Sequence, residues 1–253
     1  ESRALWASRF KSWLRRIFIM KPKVLIGCPI SDYKRYCIDE YLEGIKNLTY
    51  SNFDLFLVDN SETSDFYEEI KSKGIDVERI EYAPSAKERI VKSRNIILDK
   101  FLDGDYDYFF SLEMDVIPPT DIIEKLLESN KEIVSGVYFK PFIIRDQTDR
   151  IVSKEIMPIA YQKYSKDRLK RMTWKDVDNE SLVEVEVVGL GCILIKREIF
   201  EKKIKFRYEL NNESFDDFWF CKDVKQLGYD IFMDNSLKCK HLVTNMDWNK
   251  IEK

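Results

Sequence analysis

Four short apolar segments alternate with helix-like segments in the first 115 residues, and this alternation constrains the fold more than any other feature of the sequence. The apolar segments have the length and composition of buried strands and cover residues 23–28, 53–58, 77–82 and 106–112. The segments between them show helical periodicity and cover residues 33–48, 64–73 and 85–101. Strands and helices that alternate in this way form right-handed β-α-β units. We therefore predict an α/β domain whose central, mostly parallel sheet is flanked by helices.

The remaining composition supports one large domain that does not bind nucleic acid. The chain has 253 residues, of which 44% are hydrophobic, so it can bury a substantial core. No linker rich in Pro, Gly or Ser and no internal repeat divides the sequence, so residues 20–253 are predicted to form one domain. A formal net charge of −3 argues against a nucleic-acid-binding surface.

The five cysteines indicate a reducing compartment. Their number is odd, no pair has C-x-x-C spacing, and most of them lie in apolar segments. Thiols with this distribution are typical of a reduced protein core. Because disulfides form mainly in secreted and extracellular proteins, a cytoplasmic location is expected.

Two carboxylates follow the fourth predicted strand, in the triplet Glu113-Met114-Asp115. Side chains at positions i and i+2 of a strand point to the same side, so Glu113 and Asp115 are predicted to converge where the chain leaves the sheet. Two such charges need a metal ion, a proton or a basic side chain beside them. The alternative interpretation is a solvated strand end before the turn at Pro118 and Pro119.

Polar residues also follow the first two predicted strands, at Ser31 and at Asp59-Asn60. In a parallel sheet the carboxyl ends of the strands share one edge, and ligands bind there. The sequence contains neither a G-x-G-x-x-G nor a G-x-x-x-x-G-K-[ST] motif, so a Rossmann dinucleotide site and a P-loop are both disfavoured. Without a glycine-rich loop, a diphosphate would need a metal ion and a basic side chain. Arg94, in the helix before the fourth strand, can hold a phosphate bidentately.

The order of these short motifs resembles that of GT-A glycosyltransferases, in particular the family 2 type. In the first half of the chain the resemblance rests on Pro29-Ile30-Ser31, Val58-Asp59-Asn60-Ser61, Ser93-Arg94-Asn95 and the segment 109–115. In the second half it rests on the segment 187–197 and on Asp216-Asp217-Phe218-Trp219-Phe220-Cys221. It extends over residues 22–243. The resemblance implies a single GT-A-like (Rossmann-like) domain, with a nucleotide-binding half at 20–115 and an acceptor half at 116–253.

The resemblance also implies how a UDP-linked or GDP-linked sugar donor would be bound. Asp59 would hydrogen-bond the nucleotide base, with Asn60 beside it at the same strand end. The backbone of Pro29-Ile30-Ser31 would line the base and the ribose. Arg94 would lie near the diphosphate.

A metal ion is the implied cofactor. Asp115 would be its principal ligand, and Glu113 would act through the ribose or a metal-bound water, since Glu replaces the usual first Asp of the motif. His241, the single histidine of the chain, stands where the family often supplies a third ligand. A nitrogen ligand favours Mn²⁺ over Mg²⁺. The ion would act as a Lewis acid on the leaving diphosphate.

The acceptor side is expected around Asp216-Asp217 and two glycines. By resemblance, Asp217 is the general base of an inverting displacement, with Asp216 as its substitute. The alternative is that both carboxylates stabilise the first turn of a helix that runs to about Leu227. Gly189 and Gly191 either allow close strand packing or let the backbone approach the sugar or acceptor.

Two further features have a structural and a functional interpretation. Trp219 is expected in the core, with sugar stacking as the alternative. The basic segment 163–175 is expected to be a solvated, mobile loop, and the alternative is a loop that closes over the phosphate of a donor or lipid.

We therefore expect a metal-dependent, inverting glycosyltransferase whose acceptor is a hydroxyl group or a lipid-linked phosphate or glycan. Two alternatives remain. A sugar-phosphate nucleotidyltransferase has a related sheet but normally has a glycine-rich loop after the first strand, which this sequence lacks. A non-catalytic module that binds a nucleotide or a glycan would keep the core without needing the metal pair.

The first nineteen residues are predicted to form a basic amphipathic helix. Apolar residues recur there every three or four positions among Arg and Lys, and the segment is too short and too charged to span a bilayer. It either lies on the cytoplasmic face of an anionic membrane, packs on the protein itself, or is an appended segment. The first interpretation predicts that deleting residues 1–19 abolishes binding to anionic liposomes while turnover of soluble donor is retained. Unchanged liposome binding would remove it.

Overall fold

The computed structural model of the chain describes residues 21–165 and 168–243. The amphipathic helix predicted for residues 1–19 lies outside the described residues. The strands are β1 (Val24–Ile30), β2 (Phe53–Asp59), β3 (Val77–Arg79), β4 (Tyr108–Leu112), β5 (Val116–Ile117), β6 (Ile133–Val137), β7 (Phe139–Arg145), β8 (Ile151–Pro158), β9 (Ala160–Ser165), β10 (Arg168–Arg171), β11 (Leu182–Val185), β12 (Val187–Val188), β13 (Cys192–Lys196), β14 (Ile231–Lys238) and β15 (Lys240–His241). The helices are α1 (Ile38–Lys46), α2 (Asp65–Ser72), α3 (Ala86–Asp103), α4 (Ile122–Glu128), α5 (Trp174–Val177), α6 (Arg197–Glu201) and α7 (Asp216–Gln226), and a 3₁₀ helix, Asp32–Cys37, follows β1.

The central sheet of the described residues has eight strands in the order β11-β14-β6-β13-β4-β1-β2-β3. Strands β3, β2, β1 and β4 are parallel to one another. Strand β13 is antiparallel to both β4 and β6, so β6 points in the same direction as β1 to β4. Strand β14 is parallel to β6 and shares this direction. Strand β11 is antiparallel to β14. The predicted α/β architecture with a mostly parallel sheet is therefore confirmed.

Hydrophobic side chains cover both faces of this sheet, which explains why its strands appear in the sequence as continuous apolar segments. Neighbouring residues of β4 enter opposite layers of the core. Phe109 packs in the layer that contains α3 and α7, and Phe110 packs in the layer that contains α1, α2 and α4. Both rings are fully buried, and burying one such side chain stabilises the fold by roughly 1.5–3 kcal/mol.

Helix α3 is held tightly against the sheet and brings Arg94 to its carboxyl edge. The helix begins after Ser85, whose Oγ accepts a hydrogen bond from the Glu88 backbone N at 3.4 Å. It crosses β1 at Gly27, where a Cβ atom would lie 2.3 Å from the Ile97 side chain. Only a residue without a side chain permits this close approach.

Three local predictions are wrong. Pro29 does not end β1 but lies inside it, because the ladder with β4 stops at Gly27 while pairing with β2 continues. The segment 33–48 is not one helix, since the 3₁₀ helix precedes α1. The segment 163–175 is not a loop: β9 and β10 pair as an antiparallel hairpin, and α5 begins at Trp174.

The core also contains all five cysteines, which are buried and unpaired, as predicted for reduced thiols. In the described part of the chain, no helix combines the length and the hydrophobicity needed to cross a membrane. The division of the domain into halves at residue 115 stays a prediction.

Candidate active site

Two adjoining cavities open at the carboxyl edge of the parallel strands. The larger, of about 950 Å³, is bounded by the turn after β4, by β7, β9 and β10, and by the start of α7. The smaller, of about 160 Å³, lies next to the end of β1. Four residues line both cavities, namely Lys34, Ile90, Arg94 and Glu113. A ligand can therefore extend from one cavity into the other past these residues.

The Glu113-Met114-Asp115 triplet is a turn and not the end of a strand. Strand β4 stops at Leu112, and the Val116 backbone N donates to the Glu113 carbonyl at 2.9 Å. The alternation of a strand therefore does not apply here. Glu113 and Asp115 both line the large cavity, but each carboxylate contacts a different cation.

Asp115 is the buried anion at the centre of this edge. Its Oδ2 lies 3.0 Å from His241 Nε2 and 2.8 Å from Lys34 Nζ. The two-residue strand β15 pairs with β5, which brings His241 beside Val116 and so next to Asp115. Burial alone raises the pKa of Asp115, but the contact with His241 and the charge of Lys34 outweigh burial and lower the pKa to about 2. Asp115 is therefore an anion at every physiological pH.

The contact of His241 Nδ1 determines the protonation state of its Nε2. Its Nδ1 lies 2.7 Å from the Phe139 carbonyl, which can only accept, so Nδ1 carries a proton. In a neutral ring, Nε2 then presents a lone pair toward Asp115, and only a doubly protonated ring could donate to the carboxylate. A backbone carbonyl on Nδ1 is the usual support of a metal-binding imidazole. The Asp115 and His241 pair thus suits either a proton or a metal ion.

These residues fit a divalent cation in part. The buried Oδ1 of Asp115 has no hydrogen-bond partner among the described residues, so one carboxylate oxygen is available to a ligand. Asp115 and His241 are suitable ligands for Mn²⁺ or Mg²⁺. Within residues 21–165 and 168–243, however, no three His, Cys, Asp or Glu side chains are grouped for metal binding. Glu113 is directed to Arg94, and the ammonium group of Lys34 occupies the neighbourhood of Asp115 Oδ2.

Arg94 is buried and contacts three side chains of the site. Its Nη2 donates to Glu113 Oε1 at 2.6 Å, and its Nη1 donates to Ser111 Oγ at 2.6 Å. Its Nε lies 2.7 Å from Asp216 Oδ2, and its side chain is 2% exposed. Ser111 in turn donates to the Leu190 carbonyl. Arg94 therefore positions two carboxylates, and its place near a donor diphosphate stays a prediction.

The two carboxylates that begin α7 have different environments. Asp216 is buried against Arg94, and burial raises its pKa in spite of that cation. Among the residues that the structure describes, Asp217 accepts a hydrogen bond only from its neighbouring Phe218 backbone N, at 2.7 Å. Burial and the adjacent charge of Asp216 raise the pKa of Asp217 to about 6. Both line the large cavity, and Asp217 has the properties of a general base.

Of the residues that are predicted to bind the nucleotide, some line the small cavity and others are buried in the core. Pro29, Ser31 and Asn60 line the small cavity. Ile30 and Asp59 are fully buried behind it. Asp59 Oδ1 accepts from the backbone N and the Oγ of Ser61, at 3.2 and 2.5 Å, and burial raises the pKa of Asp59. Its contact with a nucleotide base stays a prediction.

Gly189 and Gly191 make room for a tyrosine. A Cβ atom at Gly189 would lie 2.0 Å from Tyr138 Oη, and one at Gly191 would lie 2.6 Å from Tyr138 Cζ. The Gly191 backbone N donates to Tyr138 Oη at 2.9 Å. The same ring meets His241 edge-on at 5.4 Å. Close packing therefore accounts for both glycines, and the surface offered to a ligand at this point is Tyr138.

Lys34, Tyr138 and Lys140 line the large cavity and were not predicted from the sequence. Lys34 lies in the 3₁₀ helix after β1, so its closeness to the sheet edge could have been recognised. Tyr138 and Lys140 lie between β6 and β7 and on β7, which no pattern linked to the site. Arg171 belongs to the basic segment 163–175, for which contact with a phosphate was the alternative interpretation. Trp219 is buried as expected, and Arg207 stacks on its ring at 4.3 Å.

Comparison with known proteins assigns the family. The sequence model described as Glycosyl transferase family 2 matches residues 34–203, which is more than half of the chain. No curated protein matches the sequence. The crystal structure of A197 from STIV is 20% identical, with a TM-score of 0.46, over 87% of this chain and 86% of that chain.

A second solved structure, GalNAc-T7 with UDP, GalNAc and Mn²⁺, has a TM-score of 0.62 and is 10% identical. The alignment covers 87% of this chain and 44% of that chain, so this chain corresponds to less than half of GalNAc-T7. This likeness establishes the GT-A-like fold, and the family match confirms the predicted activity class. The chain belongs to glycosyl transferase family 2 and is a nucleotide-sugar glycosyltransferase.

Proposed function

We propose that this enzyme transfers a sugar, with inversion and with the help of Mn²⁺ or Mg²⁺, from a UDP-linked or GDP-linked donor to an acceptor hydroxyl. The observation that carries the proposal is the placement of Asp115 and Asp217 in one cavity, with their pKa values shifted in opposite directions. Asp115 has a pKa of about 2, and Asp217 has a pKa of about 6. Two carboxylates whose pKa values are pushed apart are typical of separate roles in one reaction.

The donor is assigned to the smaller cavity and the wall it shares with the larger one. The nucleotide would lie beside Pro29, Ser31 and Asn60. Its diphosphate would then pass Lys34, which lines both cavities. Burial lowers the pKa of Lys34, but the charges of Glu113 and Asp115 more than offset burial and raise it, so Lys34 is a cation. It can neutralise part of the charge that develops on the leaving diphosphate.

The metal would be held by Asp115 and His241, with Glu113 as the weaker candidate. When bound, Mn²⁺ or Mg²⁺ supplies Lewis acidity that lowers the cost of the negative charge on the diphosphate. The UDP and Mn²⁺ in the solved GalNAc-T7 structure are consistent with this assignment. Phe139 orients the His241 ring through its carbonyl, and Lys34 adds positive charge at the same point.

The displacement itself is assigned to Asp217. In its ionised form the carboxylate takes the proton of an acceptor hydroxyl, whose oxygen then bonds to the anomeric carbon of the donor sugar. The bond from that carbon to the diphosphate breaks in the same displacement, so the configuration inverts. Arg94 holds Asp216 and Glu113 in place on either side of this space.

Titration and turnover with soluble donors test this function. UDP, GDP and CDP are each titrated by calorimetry with and without Mn²⁺, and hydrolysis of the matching nucleotide sugars is followed in parallel. We expect one nucleotide to bind at least about tenfold more tightly with Mn²⁺ present, because Asp115 and His241 would hold the ion and its charge would offset that of the diphosphate. Binding without metal dependence, together with no donor hydrolysis, would favour a non-catalytic binding module.

Lys34→Met serves as the matched variant in the same titration. It keeps the length of the side chain and removes the ammonium group beside Asp115. Nucleotide binding without Mn²⁺ is expected to weaken, because the internal cation is lost. Binding of Mn²⁺ alone is expected to strengthen, because the competing cation has left Asp115 Oδ2. Unchanged affinities for both would contradict the placement of the diphosphate at Lys34.

The cellular setting is part of the proposal. The five buried, unpaired thiols support a cytoplasmic location. The amphipathic sequence of residues 1–19 supports peripheral contact with a membrane and hence a lipid-linked acceptor.

A further inference from the structure

Within the described part of the chain, one wall of the large cavity carries positive charge that no carboxylate neutralises. Arg171, the last residue of β10, stacks on Phe142 with its Cζ 3.5 Å from the ring centre. Its Nη2 and Nε donate to Tyr161 Oη at 2.6 and 3.2 Å. The stacking and the phenol fix the orientation of the guanidinium group. Neither contact cancels its charge.

A second cation lies on the same ring. Lys140 Nζ is 4.9 Å from the centre of Phe142, and Lys140 and Phe142 are two residues apart on β7. Within the described residues, neither Lys140 nor Arg171 forms an ion pair with Asp or Glu. The other two cations of the cavity are both paired, Lys34 with Asp115 and Arg94 with Asp216. Two like charges beside one ring are unfavourable unless an anion joins them.

We propose that Lys140 and Arg171 bind an oxyanion carried by the acceptor, either a phosphate ester or a carboxylate. This inference rests on the proposed function, because it takes the large cavity as the acceptor site. Arg171 Nη1 makes no hydrogen bond within the described residues, so it and the second N–H of Nη2 can donate together to one phosphate or carboxylate. The acceptor would carry its anionic group at this wall and its hydroxyl near Asp217.

The position of these cations separates the acceptor from the donor. Lys140 and Arg171 line the large cavity and not the small one. The donor diphosphate is assigned to Lys34, at the boundary between the two cavities. The proposal therefore assigns an oxyanion at Arg171 to the acceptor as a second molecule, and a bound nucleotide should then leave it in place.

Calorimetry with small probes tests the proposal without a donor. Phenyl phosphate, phenyl glucuronide and the neutral phenyl glucoside are titrated into the full chain at low salt. We expect at least one anionic probe to bind about tenfold or more tightly than the neutral probe, since hydrogen bonds to charged groups are worth roughly that factor. The preferred anionic probe distinguishes a phosphate from a carboxylate. Equal affinities for all three probes would overturn the proposal.

Variants locate the binding. Arg171→Met and Lys140→Met are each expected to weaken binding of the anionic probe by about tenfold or more and to leave the neutral probe unchanged. Arg168→Met is the matched control, because Arg168 lies exposed on the same strand and does not line the cavity. Arg171→Lys should recover part of the affinity. Equal losses for charged and neutral probes would indicate a damaged fold and would count against an anion site, and thermal melting of each variant checks this.

Competition with the nucleotide completes the test. The anionic probe is expected to bind with unchanged affinity when UDP or GDP is saturating. Displacement by the nucleotide would assign the anion site to the donor and overturn the acceptor assignment. Failure of donor hydrolysis would instead count against the proposed function, and it is measured separately from probe binding.

Discussion

Asp217→Asn is expected to lower kcat by roughly 10²- to 10⁴-fold, the usual contribution of a positioned general base. The amide keeps the shape of the side chain but cannot accept the proton of the acceptor hydroxyl. Because the pKa of Asp217 is raised to about 6, wild-type kcat/KM should rise with pH through that value as the carboxyl ionises. The variant should lack this rise. Initial rates measured between about pH 5 and 8 with saturating donor provide both readouts.

Glu213→Gln is the matched control for this experiment. Glu213 lies in the wall of the same cavity, but it is exposed, so its carboxyl is removed without a buried group being disturbed. Its variant should keep the rise in kcat/KM near pH 6. A similar rise in the Asp217→Asn variant would assign the titration to another group and would remove Asp217 as the base.

Arg94→Met is expected to lower the free energy of unfolding by about 3–5 kcal/mol at pH 7, as is usual when one partner of a buried ion pair is removed. The substitution leaves Asp216 buried at 4% exposure without its cation. It also removes the contact with Glu113. Since burial already raises the pKa of Asp216, the stranded carboxyl can take up a proton, and the loss should be smaller near pH 5. Urea denaturation at the two pH values measures this difference.

The double variant Arg94→Met with Asp216→Asn separates charge from packing. The double variant lacks the contacts of Arg94, as the single variant does, but it also lacks the unpaired negative charge of Asp216. It should therefore regain a substantial part of the stability at pH 7. It should also lose most of the pH dependence of the single variant. If the single and double variants were equally destabilised at both pH values, the cost would come from packing, and the ion pair would not be the reason.

The first half of the fold was predictable because its sheet is buried on both faces. A strand covered on both sides is apolar at most of its positions, and such segments stand out between amphipathic helices. The second half was less accessible. Strands β7 to β10 form hairpins that are partly exposed, so charged and polar residues interrupt their pattern, and the segment 163–175 appeared to be a loop.

The site was predictable where it depended on strand ends and unpredictable where it depended on long-range pairing. Asp115, Asp217 and His241 were identified and do lie around one cavity. The contacts of Arg94 could not be foreseen, because they join α3 to the turn after β4 and to α7. For Gly189 and Gly191, close packing was one of the two predicted interpretations, but the residue they pack against could not be foreseen. The sequence alone does not show that the Tyr138 side chain occupies the space beside Gly189.

The pairing of β15 with β5 has a consequence for how the enzyme is made. Asp115 lies 126 positions before His241 and is joined to Lys34, which belongs to the first turn after β1. A ribosome that has synthesised the first half of the domain has produced the anion and one cation, but not the imidazole. The contact between Asp115 and His241 can form only after residue 241 has left the exit tunnel. Strands β1 to β4 can therefore be complete in a nascent chain before Asp115 acquires its imidazole partner, whereas the full eight-stranded sheet also needs β14, which ends at Lys238.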